Sequence, residues 1–403
     1  MTGAGAPSAG RSDGTQDGPD IFVIAGESSG DELGAALIRA IRARTPDARI
    51  RGIGGDAMLG QGFTSLFPMT DIAVMGFLPV IRNLRRLLAR ISTAAQAVID
   101  NPPDVLVIID SPDFTHRVAR RVRAARPGIA IVNYVSPTVW AWRPGRARKM
   151  RPYVDHLLAL LPFEPEAHRR LGGPDCTYVG HPLIERLDLL RRPEPTPEAA
   201  SDTPQMLILP GSRRSEVQRL MPVFGEAAAR VAKAVPGVTF VLPAVAHLAD
   251  IIRGAVAAWD VKPQIVTGEA DKYAAMRSAR AALAASGTVT LELALAGVPT
   301  VLAYKVSRIE EEIARRLIVT PFAGLPNIIL ERELVPEFLQ DRASGPALAD
   351  AIIPLLGSSP EREAQLLGFS DIAARMQLPD GASPSAMAAD IVLQYVGRKH
   401  SGK

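Results

Sequence analysis

Asp20-Ile-Phe-Val-Ile-Ala-Gly-Glu-Ser-Ser-Gly-Asp31 joins an apolar run to a polar turn with two glycines and then to a helical pattern. Ile21–Ala25 reads as a buried strand, and Leu33, Leu37 and Ile41 recur at helical spacing through Glu32–Arg44. A buried strand that feeds a helix through a tight polar loop is the repeating unit of a parallel α/β sheet. The unit recurs along the chain, with strands expected at Val105–Ile109, Ile129–Tyr134 and His156–Leu160. Residues 191–204 then carry four prolines in fourteen positions and almost no apolar side chains, so they read as a linker. A second alternation follows, with strands at Met206–Leu209, Val238–Leu242, Gln264–Val266, Ala281–Ala285 and Thr300–Ala303 and helices at Glu216–Ala234 and Thr290–Ala296. The expected architecture is two Rossmann-like domains, residues 20–190 and 205–344, facing across a cleft. Helices in 345–403 pack across both, and 1–19 form a disordered tail.

Composition agrees with a globular protein. The 403 residues are 47% hydrophobic and 22% charged, which excludes global disorder. A formal charge of +4 favours anionic partners without choosing among nucleotide, nucleic acid and lipid. One cysteine, Cys176, excludes an internal disulfide and points to a reducing compartment. The first 19 residues lack an apolar signal core, and Ile72–Ile81, interrupted by Gly76 and Pro79, is too short to span a bilayer. A cytoplasmic protein is expected.

Ligands of such sheets bind at the carboxyl ends of the strands, so the loops there matter most. Gly26-Glu27-Ser28-Ser29-Gly30-Asp31 suits sugar hydroxyls better than a pyrophosphate, because Glu27 and Asp31 would repel phosphate; a tight turn capped by Ser or Asp is an equal reading. In Asp110-Ser111-Pro112-Asp113, a carboxylate at the mouth of an apolar strand suits a general base, while Asp113 equally suits a helix cap. Trp140 and Trp142 precede five cations and no acid between Arg143 and Arg151, a phosphate-facing wall or a solvated helix face. No nucleic-acid motif accompanies them. In the second half, Gly211-Ser212-Arg213 and Ser286-Gly287-Thr288 each follow a strand and open a helix, as phosphate cradles do. Glu292, one turn beyond Thr288, is within reach of ribose hydroxyls. His181 sits at the linker entrance, either structural or a ligand contact. The six histidines show no metal-ligand spacing, and Walker A, H-E-x-x-H and G-x-S-x-G are absent. Leu84, Leu87, Leu88, Ile91, Ala95 and Val98 form one helical stripe, core-facing by the ordinary reading.

Taken in order, Ala25-Gly-Glu-Ser-Ser-Gly-Asp31, Ala73-Val-Met-Gly76, Ile109-Asp-Ser-Pro-Asp-Phe114, Tyr134-Val-Ser-Pro-Thr-Val-Trp-Ala-Trp-Arg143, Leu161-Pro-Phe-Glu164, Gly180-His-Pro182, Leu209-Pro-Gly-Ser-Arg213, Ala285-Ser-Gly-Thr288 and Leu325-Pro-Asn327 resemble the lipid-A-disaccharide synthases. Val289-Thr290 depart from the small residues expected there. The resemblance implies a metal-independent GT-B glycosyltransferase, without cofactor, that joins UDP-2,3-diacylglucosamine to 2,3-diacylglucosamine 1-phosphate and releases UDP. It implies Asp110 and Arg213 as catalytic residues. Gly211, Ser212, Arg213 again, Ser286, Gly287, Thr288, Glu292 and Asn327 would serve UDP. Gly26, Glu27, Ser28, Ser29, Asp31, Asp113, Trp142, Arg143 and His181 would line the acceptor side. Acylated substrates add an expected contact with the anionic inner-membrane surface through Phe77, Leu78, Val80, Ile81, Arg82, Arg85 and Arg86. The resemblance also implies a homodimer through exchange of the C-terminal helices. The rival readings are another UDP-N-acetylglucosamine-using GT-B enzyme, a transferase or 2-epimerase, and a non-catalytic nucleotide- or lipid-binding protein.

Overall fold

A computed structural model of the chain describes residues 18–72, 84–191 and 203–397. Most of the linker, the segment from Ala73 to Asn83 and nearly all of the N-terminal tail lie outside the described residues.

The strands are β1 Asp20–Ala25, β2 Arg49–Ile53, β3 Thr64–Ser65, β4 Val105–Ile109, β5 Ala130–Tyr134, β6 His156–Ala159, β7 Cys176–Tyr178, β8 Gln205–Leu209, β9 Thr239–Ala244, β10 Gln264–Thr267, β11 Ala281–Ala285, β12 Thr300–Tyr304 and β13 Glu337–Leu339. They form two sheets, in the orders β3-β2-β1-β4-β5-β6-β7 and β10-β9-β8-β11-β12-β13. Their described pairings are parallel, with Ile21 opposite Val105 and Ala281 opposite Met206. Strand order reverses direction between β1 and β4, and again between β8 and β11. At such a switch point the helices that follow the two strands lie on opposite faces of the sheet, and a crevice forms at the strand ends.

By contacts the chain divides into two compact units. One holds the chain to Tyr134, Tyr153–Asp155 and the chain from Ala388; the other holds Val135–Pro152 and His156–Met387. This division differs from the sequence boundary near residue 190. Leu161, Leu183 and Leu190 join the buried cluster of Leu207, Leu209, Met276 and Ala284, which ties their segment to the second unit. On the opposite face of that sheet, Met206, Ile208 and Leu283 pack with Val217, Leu220 and Phe224 of the helix Arg214–Ala234. In the first unit Asp390 is ion-paired with Arg44.

The helical stripe behaves in two ways. Ile91, Ala95 and Val98 are buried as the core reading requires, but Leu84 and Leu88 are exposed. Strand β2 was invisible to periodicity because Arg49 and Arg51 interrupt its apolar pattern. Gly52 within it has φ 148°, and a methyl group there would overlap the Val23 carbonyl of β1. We expect Gly52→Ala to cost more than about 3 kcal/mol, read as a lowered urea midpoint; an unchanged midpoint would refute the close strand contact.

Candidate active site

At the first switch point the loops after β1 and β4 touch. Gly26 is needed for contact, since an added Cβ would overlap the Ser111 side chain. The Ser111 hydroxyl donates to Glu27 Oε1 at 3.2 Å, and the Ser29 hydroxyl reaches Asp110 Oδ2 at 3.5 Å. Asp110 and Ser111 are consecutive non-glycine residues with left-handed backbones, φ 50° and 45°. Such backbones cost of order 1–3 kcal/mol each and concentrate at functional sites. Several bonds hold the turn. Asp110 N–H donates to the Tyr134 carbonyl, Ser111 N–H donates to Asp110 Oδ1 at 2.8 Å, and the buried Thr115 hydroxyl lies 2.7 Å and 3.0 Å from the Asp110 and Ser111 carbonyls. Thr115 escaped sequence reasoning because a threonine one turn into a helix carries no motif. Ser28 is exposed beside Ser29. Asp113 is exposed in the first helical turn, and Ser111, not Asp113, occupies the cap position.

Asp31 requires a correction. It is 5% exposed, and its carboxylate accepts the backbone N–H groups of Gly55, Ala57 and Met58 at 2.7, 2.9 and 3.2 Å. It caps the helix Asp56–Leu59 from outside, so its carboxylate is engaged by backbone N–H groups.

At the second switch point seven of the eight residues expected to serve UDP meet. Gly211, Ser212, Arg213, Ser286, Gly287, Thr288 and Glu292 line a cavity of about 610 Å³, within the ordinary range for ligand sites. Gly211 has φ 106°. Glu216, 7% exposed, accepts Arg213 N–H at 3.3 Å and pairs with its guanidinium at 3.1 Å. The Arg213 side chain is otherwise two-thirds exposed. Lys272, missed from sequence, lines the same cavity and pairs with Glu292 at 2.8 Å. The helix Thr288–Leu295 opens onto the cavity after Gly287, φ 150°.

Asn327 is the second correction. It is wholly buried; its amide donates to the Val335 carbonyl and Glu337 Oε1 at 2.8 Å and accepts from Leu334 and Val335 N–H at 2.8 and 2.9 Å. Every polar position of the side chain is used, so none is left for a nucleotide. Its partner Glu337 accepts the N–H groups of Ala323 and Gly324, and the Ala323 carbonyl accepts the Ser286 hydroxyl. Asn327 therefore supports the Ser286 loop from behind.

Of the remaining expected residues, His181 accepts Leu183 N–H through Nδ1 as a cap, and burial pushes its ring down to about 4, so it is neutral at neutral pH. Trp142 carries the Arg143 guanidinium 4.2 Å from its ring centroid. Arg86, with Arg90, pairs with buried Asp71, while Arg85 is exposed. Phe77, Leu78, Val80, Ile81 and Arg82 lie outside the described residues. Among the described residues no three His, Cys, Asp or Glu side chains converge as metal ligands, and no helix is long and apolar enough to cross a membrane.

Two doubly wound sheets with polar loops at both switch points define a GT-B enzyme fold, and solved structures share it. The calicheamicin glycosyltransferase CalG4 superposes with a TM-score of 0.57 at 19% identity, covering 94% of this chain and 98% of that one. A Neisseria meningitidis UDP-GlcNAc 2-epimerase, solved bound to UDP-GlcNAc, gives 0.57 at 11% identity over 93% and 98%. The family model described as lipid-A-disaccharide synthetase matches residues 21–390. The lipid-A-disaccharide synthase of Nitrobacter winogradskyi is 53% identical over 381 residues, 93% of this chain and 95% of that protein. That of Rhodospirillum centenum is 43% identical over 386 residues, 94% and 95%. The chain belongs to the lipid-A-disaccharide synthase family, glycosyltransferases that form the lipid A disaccharide.

One buried acid stands behind the tryptophan loop. Burial pushes the Glu164 carboxyl up to about 7 against the opposing N–H donors of Leu161, Trp140 and Leu160. Its ordinary value is 4.5, so between these values the folded chain keeps a proton that the unfolded chain releases. Its contribution is therefore fully present below about pH 4.5 and shrinks as pH rises to about 7, by roughly 3 kcal/mol. Urea unfolding at several pH values across that window is expected to show this loss in the native chain and a flatter profile in Glu164→Gln; equal slopes would refute it.

Proposed function

We propose that the chain transfers 2,3-diacylglucosamine from UDP-2,3-diacylglucosamine to the 6-hydroxyl of 2,3-diacylglucosamine 1-phosphate, with inversion at the transferred carbon. The observation that carries the donor half of this reading is the single cavity shared by Arg213, the Ser286–Thr288 loop and Glu292. A diphosphate fits the open N-terminus of the helix Thr288–Leu295, where unpaired N–H groups and the helix dipole favour negative charge. Glu292, oriented by Lys272, accepts from ribose hydroxyls.

An α-linked donor and a β-linked product require direct displacement and a base for the attacking hydroxyl. Asp110 takes that proton; the oxygen bonds to the anomeric carbon, and the bond to the diphosphate breaks with its electron pair leaving on UDP. Arg213 neutralises the charge that grows on the leaving diphosphate. The strained turn of Asp110 and Ser111 supports this role, since it aims the carboxylate at the loop of Ser29. Asp113 is the second candidate for the base because it lies in the same loop.

The reading includes peripheral attachment to an anionic bilayer through the segment from Phe77 to Arg86, supported by the exposure of Leu84 and Leu88 on the helix Leu84–Asp100. Asp110→Ala is expected to lower kcat by about a thousandfold while UDP affinity, read by calorimetry, stays within about threefold, since the base makes no diphosphate contact. Near-normal turnover in the folded variant would transfer the role to Asp113. Arg213→Ala is expected to lower kcat by about a hundredfold or more and to weaken UDP binding as well; unchanged UDP binding would remove Arg213 from the diphosphate. Turnover is expected to survive excess chelator, and its loss and recovery with a divalent cation would overturn the assignment to Arg213 of the charge-neutralising role.

A further inference from the structure

The helix Arg308–Leu317, in the second unit, has no buried residue. Ile309 and Ile313 lie one turn apart on it, 76% and 52% exposed, and Ile318 and Val319 directly beyond it are 50% and 59% exposed. Exposed apolar side chains scattered singly need no account, but four within one short segment form a patch.

Local devices hold this helix in place of burial. Ser307 and Glu310 form a reciprocal capping box, with Glu310 N–H on the Ser307 hydroxyl at 3.2 Å and Ser307 N–H on the Glu310 carboxylate at 2.8 Å. Glu311–Arg315 and Glu312–Arg316 pair one turn apart at 2.6 and 2.7 Å. The helix thus keeps its shape while its apolar face stays uncovered by the second unit. An amphipathic helix built this way suits an interface between water and an apolar phase.

What surrounds it identifies the apolar phase. Trp142 forms an antiparallel bridge with Ile318, and Val319 N–H donates to the Ala141 carbonyl at 2.8 Å. The patch is thereby joined to the segment Arg143–Arg151, with five cations and no acid. The acids of the helix itself are matched: Glu311 and Glu312 by the arginines just named, and Glu310 by Arg219 at 3.3 Å. Apolar side chains, an indole and a cationic surplus together complement an anionic phospholipid surface. Arg143, Arg148, Lys149 and Arg151 are exposed just beyond Trp142 in the chain, and such a surplus disfavours pairing with a like-charged second copy.

We propose that Ile309, Ile313, Ile318, Val319 and Trp142, with the cations of Arg143–Arg151, form a bilayer-docking surface on the second unit. It extends the peripheral attachment proposed above to a separate patch, and it does not depend on the segment from Phe77 to Arg86.

The test uses the full chain with vesicles of phosphatidylglycerol and phosphatidylcholine, or phosphatidylcholine alone, by sedimentation at low and high salt. Ile309→Ser/Ile313→Ser is expected to lower partitioning onto anionic vesicles by about tenfold or more at low salt, with an unchanged circular dichroism spectrum and unchanged turnover on detergent-dispersed substrates. Tryptophan emission is expected to shift to the blue with anionic vesicles, and Trp142→Phe to remove the shift although Trp140 and Trp259 remain. Undiminished partitioning of Ile309→Ser/Ile313→Ser, with binding abolished in Leu84→Ser/Leu88→Ser, would overturn this surface and leave the first attachment standing. No binding of the unmodified chain at low salt would overturn both. A change of sedimentation coefficient on Ile309→Ser/Ile313→Ser without vesicles would assign the face to a second copy and overturn the bilayer.

Discussion

A parallel sheet covered on both faces leaves polar chemistry only one place to gather. Every residue of β4, β5 and β11 is buried, so no strand interior can present a charged group to a ligand. The strand ends must do so, and the reversal of strand order decides which ends have room. In the first sheet the reversal brings together Gly26–Ser29 and Asp110–Ser111; in the second it brings together Gly211–Arg213 and Ser286–Thr288. Both candidate loop pairs are consequences of topology before they are consequences of side-chain identity.

The first pair carries a conformational cost. Two left-handed residues in a row, at Asp110 and Ser111, oppose a net gain of roughly 1 kcal/mol for each hydrogen bond that holds them. The Tyr134 carbonyl, the Asp110 carboxylate and the Thr115 hydroxyl together supply bonds enough to offset strain of that order. The turn persists because the neighbouring strand and helix over-determine it. One oxygen of Asp110 is spent on this, while the other points to the Ser29 hydroxyl.

Periodicity made the central strands legible. β4 and β11 were expected at their observed bounds because a strand buried on both faces is an unbroken apolar run. β2, β3, β7 and β13 were not expected, being short or, in β2, interrupted by arginines. The loop residues Arg213, Gly287 and Glu292 were legible because a glycine-bearing turn between strand and helix has a local signature. Asp31 and Asn327 misled for the opposite reason. Their partners are backbone groups of Gly55–Met58 and of Leu334–Glu337, and nothing in a sequence marks a buried polar side chain as already satisfied.

That distinction between touching a ligand and holding the loop that touches it runs through the second site. Asn327 uses both its donors and both its acceptors inside the protein, and a buried polar network so filled is rigid. Its rigidity passes to Glu337, from Glu337 to the Ala323–Gly324 backbone, and from the Ala323 carbonyl to the Ser286 hydroxyl. Glu216 does the same for Arg213, accepting the arginine's N–H while pairing with its guanidinium. A phosphate-binding loop works through backbone N–H groups whose direction must be set before the anion arrives. Behind these two loops the buried Glu216, Glu337 and Asn327 hold the backbone by the bonds just named.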